Sequence, residues 1–155
     1  MVVVSLRPAR AGDVDAIVDV FRSARAAALP YLPAVHTHDE HLAYFGGQVA
    51  SGLTTVAIDG DAVVGFMVLR AARVEHLYVE PGAQRRGIGS MLLFRAQALH
   101  GGGLDLWLFQ RNRAAIAFYE KHGFAVAELT DGAANEEREP DARMTWTGRD
   151  GAPAS

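Results

Sequence analysis

The chain has 155 residues, half of them apolar, and a formal net charge of -3. That length supports one domain with its own core, and the apolar share argues against disorder. The weak negative charge lacks the basic footprint of a nucleic-acid binder. The absence of cysteine excludes disulfides, cysteine-based zinc sites and a thiol nucleophile. The start, Met1-Val2-Val3-Val4-Ser5-Leu6-Arg7-Pro8, is too soon interrupted for a signal peptide. No apolar run approaches the ~20 residues that span a bilayer. The expectations are a cytoplasmic protein, no nucleic acid and no membrane.

Residues 2–6 form a short apolar strand that meets Arg7-Pro8. Gly12-Asp13 opens a helix, with Asp13 as its expected N-cap. Val14, Ile17, Val18, Phe21 and Ala24 follow a helical stripe until Pro30 and Pro33 break it. Residues 38–50 fit a second helix. Strands are expected at 53–58, 62–69 and 74–79, the first two joined by the turn Asp59-Gly60-Asp61. A helix over 87–100 ends at Gly101-Gly102-Gly103, and an apolar strand over 104–109 follows. Asn112 caps a helix over 113–122, with Gly123 at the left-handed C-terminal position. Strands at 124–129 and 142–147 flank a polar loop. Residues 148–155 are expected as a disordered tail behind a single domain over 1–147. The strand-helix-strand unit from 74 to 109 makes a right-handed parallel crossover.

The most informative stretch is Val74-Glu75-His76-Leu77-Tyr78-Val79-Glu80-Pro81-Gly82-Ala83-Gln84-Arg85-Arg86-Gly87-Ile88-Gly89. It is a strand running through a glycine-bearing loop into a helix N-terminus, where unpaired N–H groups and the helix dipole favour an anion. The loop lacks the Lys-Ser/Thr pair of a nucleoside-triphosphate loop and the third glycine of a dinucleotide fingerprint.

Gln84-x-x-Gly87-x-Gly89 behind a strand ending Leu77-x-Val79-x-Pro81 resembles the acetyl-CoA loop of the GNAT acyltransferase superfamily. A second segment is similar to that family's signature: Asn112-x-x-Ala115-x-x-Phe118-Tyr119-x-x-x-Gly123-Phe124. The resemblance implies an α/β (α+β) fold with a mixed, mostly antiparallel sheet of about seven strands. It is splayed between the 74–79 and 104–109 strands, with about four helices on its faces. Acetyl-CoA is the implied cofactor, with its pantetheine arm in the splay against the backbone of Leu77, Tyr78 and Val79. Its pyrophosphate would meet Gln84, Arg85, Arg86, Gly87, Ile88, Gly89 and Ser90.

The N–H of Leu77 would polarise the acetyl carbonyl, and Asn112 would contact the arm as well as cap its helix. Tyr119 is the implied acid, since a tyrosine holds its proton at neutral pH until a thiolate develops; a packing role is the alternative. Glu75 alternates with Leu77 and Val79, shares their strand face, and is the candidate base, with His76 a weaker one on the opposite face. The family's dimers suggest a homodimer.

Tyr31, His36 and His38 fall where the family faces its acceptor. His36-Thr37-His38-Asp39-Glu40-His41 lacks His-Glu-x-x-His spacing, so a polar helix start is preferred to a metal site. The loop Asn135-Glu136-Glu137-Arg138-Glu139 is either an exposed connector or a rim that attracts a cationic amine. The expected activity is direct acetyl transfer to a primary amine of a small molecule. The alternatives are a protein N-terminus or lysine, or a non-catalytic acyl-CoA sensor.

Overall fold

The computed structural model describes residues 3–149. Seven strands form one sheet in the order β1-β2-β3-β4-β5-β7-β6. In chain order they are β1 (Val4–Pro8), β2 (Thr54–Asp59), β3 (Ala62–Arg70), β4 (Arg73–Val79), β5 (Leu104–Phe109), β6 (Ala125–Leu129) and β7 (Asp141–Trp146). Four helices cover it: α1 (Val14–Ala28), α2 (His38–Ala50), α3 (Ile88–Leu99) and α4 (Arg113–Lys121). Every pairing is antiparallel except the parallel β4–β5 contact. The expected tail is tied to the fold at Arg149. The Arg149 N–H bonds Gly101 O at 3.1 Å, and its guanidinium bonds Ala98 O at 2.9 Å. Residues 150–155 lie outside the described residues.

Each sheet face has its own core. On one, α1 and α2 bury Ile17, Val18, Phe21 and Phe45 against Val56, Phe66 and Val68. On the other, α3 and α4 bury Ile88, Leu92, Leu93 and Tyr119 against Met67, Val74, Leu106 and Met144. Gly65 lets α3 approach: a Cβ there would stand 3.2 Å from both Ile88 Cγ2 and the Tyr78 carbonyl oxygen.

Two helix starts differ in how they are closed. Thr37 caps α2 by accepting from the Glu40 N–H at 3.1 Å, while Glu40 returns a bond from the Thr37 N–H at 2.9 Å. Asp13 does not cap α1 with its side chain. Its carboxylate turns back to the Arg7 guanidinium at 2.7 and 2.9 Å and to the Arg10 N–H at 2.7 Å. A 3-10 turn over Ala11–Asp13 precedes α1, so Asp13 closes the start of that turn through the Arg10 N–H rather than the start of α1.

The feature that positions the site is the β4–β5 seam. These strands pair only at Arg73 with Asp105. There the Arg73 guanidinium grips the Asp105 carboxylate at 2.9 and 2.8 Å. Beyond that clasp the strands separate, as expected.

Candidate active site

The register on the other side of β4 decides which backbone groups face the opening. The Glu80 N–H bonds Val64 O at 2.8 Å, and Phe66 faces Tyr78 and Val68 faces His76. Hydrogen-bonded pairs alternate along an antiparallel ladder. Tyr78 and His76 therefore spend their backbone groups on β3, and those of Leu77 and Val79 point into the seam. Tyr78, expected as a cofactor contact alongside them, borders the slot and packs its ring against Phe21 and Phe66 at 5.2 and 5.9 Å.

Glu75 is placed by a bulge. Val68 pairs with His76 but Leu69 pairs with Val74, so Glu75 is the extra residue on β4. The expected simple alternation of Glu75 with Leu77 and Val79 fails at this point. Val74 takes the α3/α4 face beside Leu77, and the bulge turns Glu75 to the mouth of the seam.

Two cavities meet at that mouth. A narrow slot of about 110 Å³ runs between β4 and β5 and is lined by Leu77, Leu106, Asn112 and Tyr119, among others. A wider cleft of about 970 Å³ opens between α1, α2 and the β6–β7 loop. Glu75, His76, Tyr78, Trp107 and Phe109 border both.

The slot brings together groups expected on its wall. Asn112 caps α4, its Oδ1 accepting from the Ala115 N–H at 3.2 Å, while bordering the slot. Tyr119 is 8% exposed. Burial, and secondarily the nearby Tyr78, raise its hydroxyl above the ordinary tyrosine range, so it keeps its proton.

At the far end of β4, the loop 84–87 enters α3 through left-handed conformations at Arg85 (φ 67°) and Gly87 (φ 78°). Gly87 supplies an N-cap conformation that side chains rarely adopt. Gly89 serves close packing, since a Cβ there would stand 3.3 Å from the Phe118 ring. The first-turn N–H groups of Ile88, Gly89 and Ser90 have no intrahelical partners. Of the two arginines, Arg86 is paired with Asp59 at 2.8 Å. The Gln84 amide reaches Val79 O at 3.4 Å. Ser90 Oγ lies 2.9 Å from His122 Nε2, and His122 Nδ1 lies 2.8 Å from Phe118 O. A carbonyl only accepts, so Nδ1 carries a proton.

The cleft departs further from expectation. His36 lines it, bonding Glu136 at 2.8 Å and Glu40 at 3.4 Å. Those two carboxylates, Glu136 first, raise the imidazole's pKa. Tyr31 does not line it: its ring is covered by the Arg111 guanidinium at 3.5 Å. His38 does not either; it is exposed and bonds Arg22 at 2.7 Å.

In their place stand His41 and Tyr44, one helical turn apart on α2. The Tyr44 hydroxyl bonds His76 Nε2 at 2.9 Å. His76 sits among the Phe21, Tyr44, Phe45 and Tyr78 rings, and burial, followed by the charge of Arg25, lowers its pKa to about 4. It is neutral at pH 7. The i, i+3, i+4 spacing of His41, Tyr44 and Phe45 carries the signal that could have turned attention inward.

The loop 135–139 is no simple connector. Glu136 and Glu137 both reach the cleft, which holds four carboxylates (with Glu40 and Glu75) against the guanidinia of Arg22 and Arg25.

The sheet is thus split after its fourth strand, with the free N–H groups of a helix N-terminus at one end of the seam and an acidic cleft at the other. Residues 50–126 match the Acetyltransferase (GNAT) domain family. The peptidyl-lysine N-acetyltransferase YjaB of Salmonella typhimurium is 36% identical over 74 residues, which is 48% of this chain and 50% of that protein. The chain thus aligns with about half the length of that relative. The peptidyl-lysine N-acetyltransferase YiaC of Escherichia coli is 27% identical over 91% of this chain and 95% of its own. The PaiA N-acetyltransferase of Thermoplasma acidophilum, solved in complex with coenzyme A, superposes with a TM-score of 0.74 at 17% identity, covering 94% of this chain and 99% of that one. The chain belongs to the GNAT acetyltransferases, a family of acyltransferases that use acetyl-CoA.

Proposed function

We propose that this chain is an N-acetyltransferase that moves an acetyl group from acetyl-CoA directly to a primary amine of a small cationic molecule. The observation that carries this reading is the junction of the slot with the acidic cleft at Glu75 and His76. The slot offers the donor's arm the free backbone edge of Leu77 and Val79, and the first turn of α3 offers N–H groups to its pyrophosphate. Bound there, acetyl-CoA supplies a thioester as the activated acyl group.

The chain's own groups then divide the work. The Leu77 N–H donates to the carbonyl oxygen as negative charge develops. Glu75, at the mouth, takes the proton that the amine loses as its nitrogen bonds the acetyl carbon. Tyr119 gives its proton to the sulfur as the carbon–sulfur bond breaks, leaving free thiol and amide. The acidic cleft favours arrival of a cation. A free α-amine near pKa ~8 arrives about one-tenth neutral at pH 7, whereas a lysine at ~10.4 needs Glu75 more.

A lysyl side chain of a protein is the second reading, favoured by the two relatives named as peptidyl-lysine acetyltransferases. Thiol release from acetyl-CoA across a panel of small amines and lysyl peptides separates the two. Turnover with small amines and not peptides supports the first reading; the reverse supports the second. No acceptor-dependent thiol release, despite tight coenzyme A binding, leaves a sensor.

A further inference from the structure

Glu75, His76, Tyr78, Trp107 and Phe109, which border both the slot and the cleft, all come from β4 and β5. Leu29 borders both as well, and it alone arrives from outside the sheet, at the end of α1. Its side chain is buried, with the residue 5% exposed, yet it belongs to neither of the cores packed on the two sheet faces. What buries it is the junction of the two cavities.

The chain fixes it there. A proline disfavours helical backbone at the residue before it. With Pro30 next, α1 stops at Ala28 and Leu29 leaves the helix at φ -135° and ψ 57°. Its N–H bonds Arg25 O at 2.8 Å, and its carbonyl accepts from the Leu32 N–H at 3.2 Å. Both backbone groups are engaged, so the side chain is held in place from either end.

The run of the donor brings its acyl group to this residue. With the pyrophosphate at the first turn of α3 and the arm along Leu77 and Val79, the thioester lies toward Glu75 and the acyl chain points at the junction. An acetyl group ends in the slot, whose volume is only about 110 Å³. Each further methylene runs toward Leu29, and the room for it, about 970 Å³, lies beyond in the cleft. One methylene too many in an apolar pocket is worth about 10- to 200-fold in discrimination.

Resting on the acetyltransferase reading above, we propose that Leu29 is the specificity-determining residue for the donor's acyl chain: it closes the slot behind acetyl and keeps longer chains out of the cleft.

The test is calorimetric binding of acetyl-CoA and butyryl-CoA, without acceptor, to the wild type, Leu29→Ala, Leu29→Val and Leu29→Met. The two donors share every group but the acyl chain, so their Kd ratio cancels any general loss of fold or affinity. Wild type favours acetyl-CoA by about tenfold or more. Leu29→Ala brings the ratio to within about twofold by tightening butyryl-CoA, as the obstructing methylenes are gone. Leu29→Val, the milder truncation, moves the ratio the same way, and Leu29→Met, which conserves volume, keeps the wild-type ratio. Val35→Ala, in the cleft but not the slot, also keeps it. A wild type that binds both donors equally, or a ratio that Leu29→Ala and Leu29→Val leave unchanged, overturns the proposal. Thiol release with the amine panel separates this from the reading it rests on. Amine-dependent release with a ratio indifferent to Leu29 sinks this proposal alone. A Leu29-dependent ratio without turnover of any amine keeps the gate and sinks the acetyltransferase reading.

Discussion

Tyr119→Phe is the most informative perturbation, because the structure predicts opposite outcomes for stability and chemistry. The hydroxyl is buried, and its raised pKa owes nothing to a hydrogen bond; burial and Tyr78 account for it. Deleting it breaks no hydrogen bond among the described residues, so stability should change by less than about 1 kcal/mol. The ring, packed edge-on to Phe118 and Phe124 at 5.1 and 5.4 Å, stays in place. Chemistry is another matter. General acid catalysis contributes roughly 10²- to 10⁴-fold, about 2.7–5.4 kcal/mol of barrier. Thiol-release kinetics should therefore show kcat falling by about that factor with KM for acetyl-CoA little changed, while thermal unfolding stays level. Because the proton is held above the ordinary tyrosine range, the wild-type rate should show no alkaline limb due to Tyr119 below about pH 10. A Tyr119→Phe enzyme within threefold of wild-type kcat would refute the acid role and leave Tyr119 as a core aromatic.

Gly65→Ala should cost about 1–3 kcal/mol, since the new methyl meets the fixed Tyr78 carbonyl at 3.2 Å. Calorimetry should show Tm several degrees lower, and an unchanged Tm would mean that α3 is not seated as described. His36 and His76 predict opposite pH effects. The folded pKa of His36 is raised by Glu136 and Glu40. Its stabilising share is full below pH ~6.5 and vanishes as pH rises through the folded value, so His36→Gln should be less stable than wild type at pH 5.5 and equal to it at pH 8.5. Equal stability losses at both pH values would remove the ionic link. The folded pKa of His76 is lowered to about 4. Its unfolded form binds the proton first, so up to about 3 kcal/mol of stability is lost as pH falls from ~6.5 to 4. A His76 resonance titrating near pH 6.5 in the folded protein would contradict its burial.

Local patterns along the chain carry most of the fold. Residues 104–109 and 38–50 coincide with β5 and α2, because an apolar run between glycine and polar breaks, or a stripe between a threonine cap and a glycine stop, specifies its element locally. The seam was likewise legible from the glycine loop and the Asn112–Phe124 signature. What was not legible depends on distant partners. A bulge is a mismatch of counts between two strands, so nothing within Val74–Val79 reveals that Glu75 is surplus to β3. His36 meets Glu136 across 100 positions, and no periodicity reports such a contact. The family resemblance puts Tyr31 and His38 on the acceptor side, but the Tyr31 ring lies under Arg111, His38 bonds Arg22, and neither lines the cleft.

The seam has a thermodynamic consequence. Past the Arg73–Asp105 clasp, the protein keeps an unpaired sheet edge inside itself. A donor arm that hydrogen-bonds to Leu77 and Val79 adds a strand in trans, joining β1–β4 to β5–β7–β6. Folding and cofactor supply are then linked: at a free concentration 100 times its Kd, acetyl-CoA adds about 2.7 kcal/mol of stability. If the arm docks there as proposed, the Leu77 and Val79 amides should exchange quickly with solvent hydrogen when the seam is empty and slowly when it is filled, so their exchange rates would report how far the protein is charged with its donor.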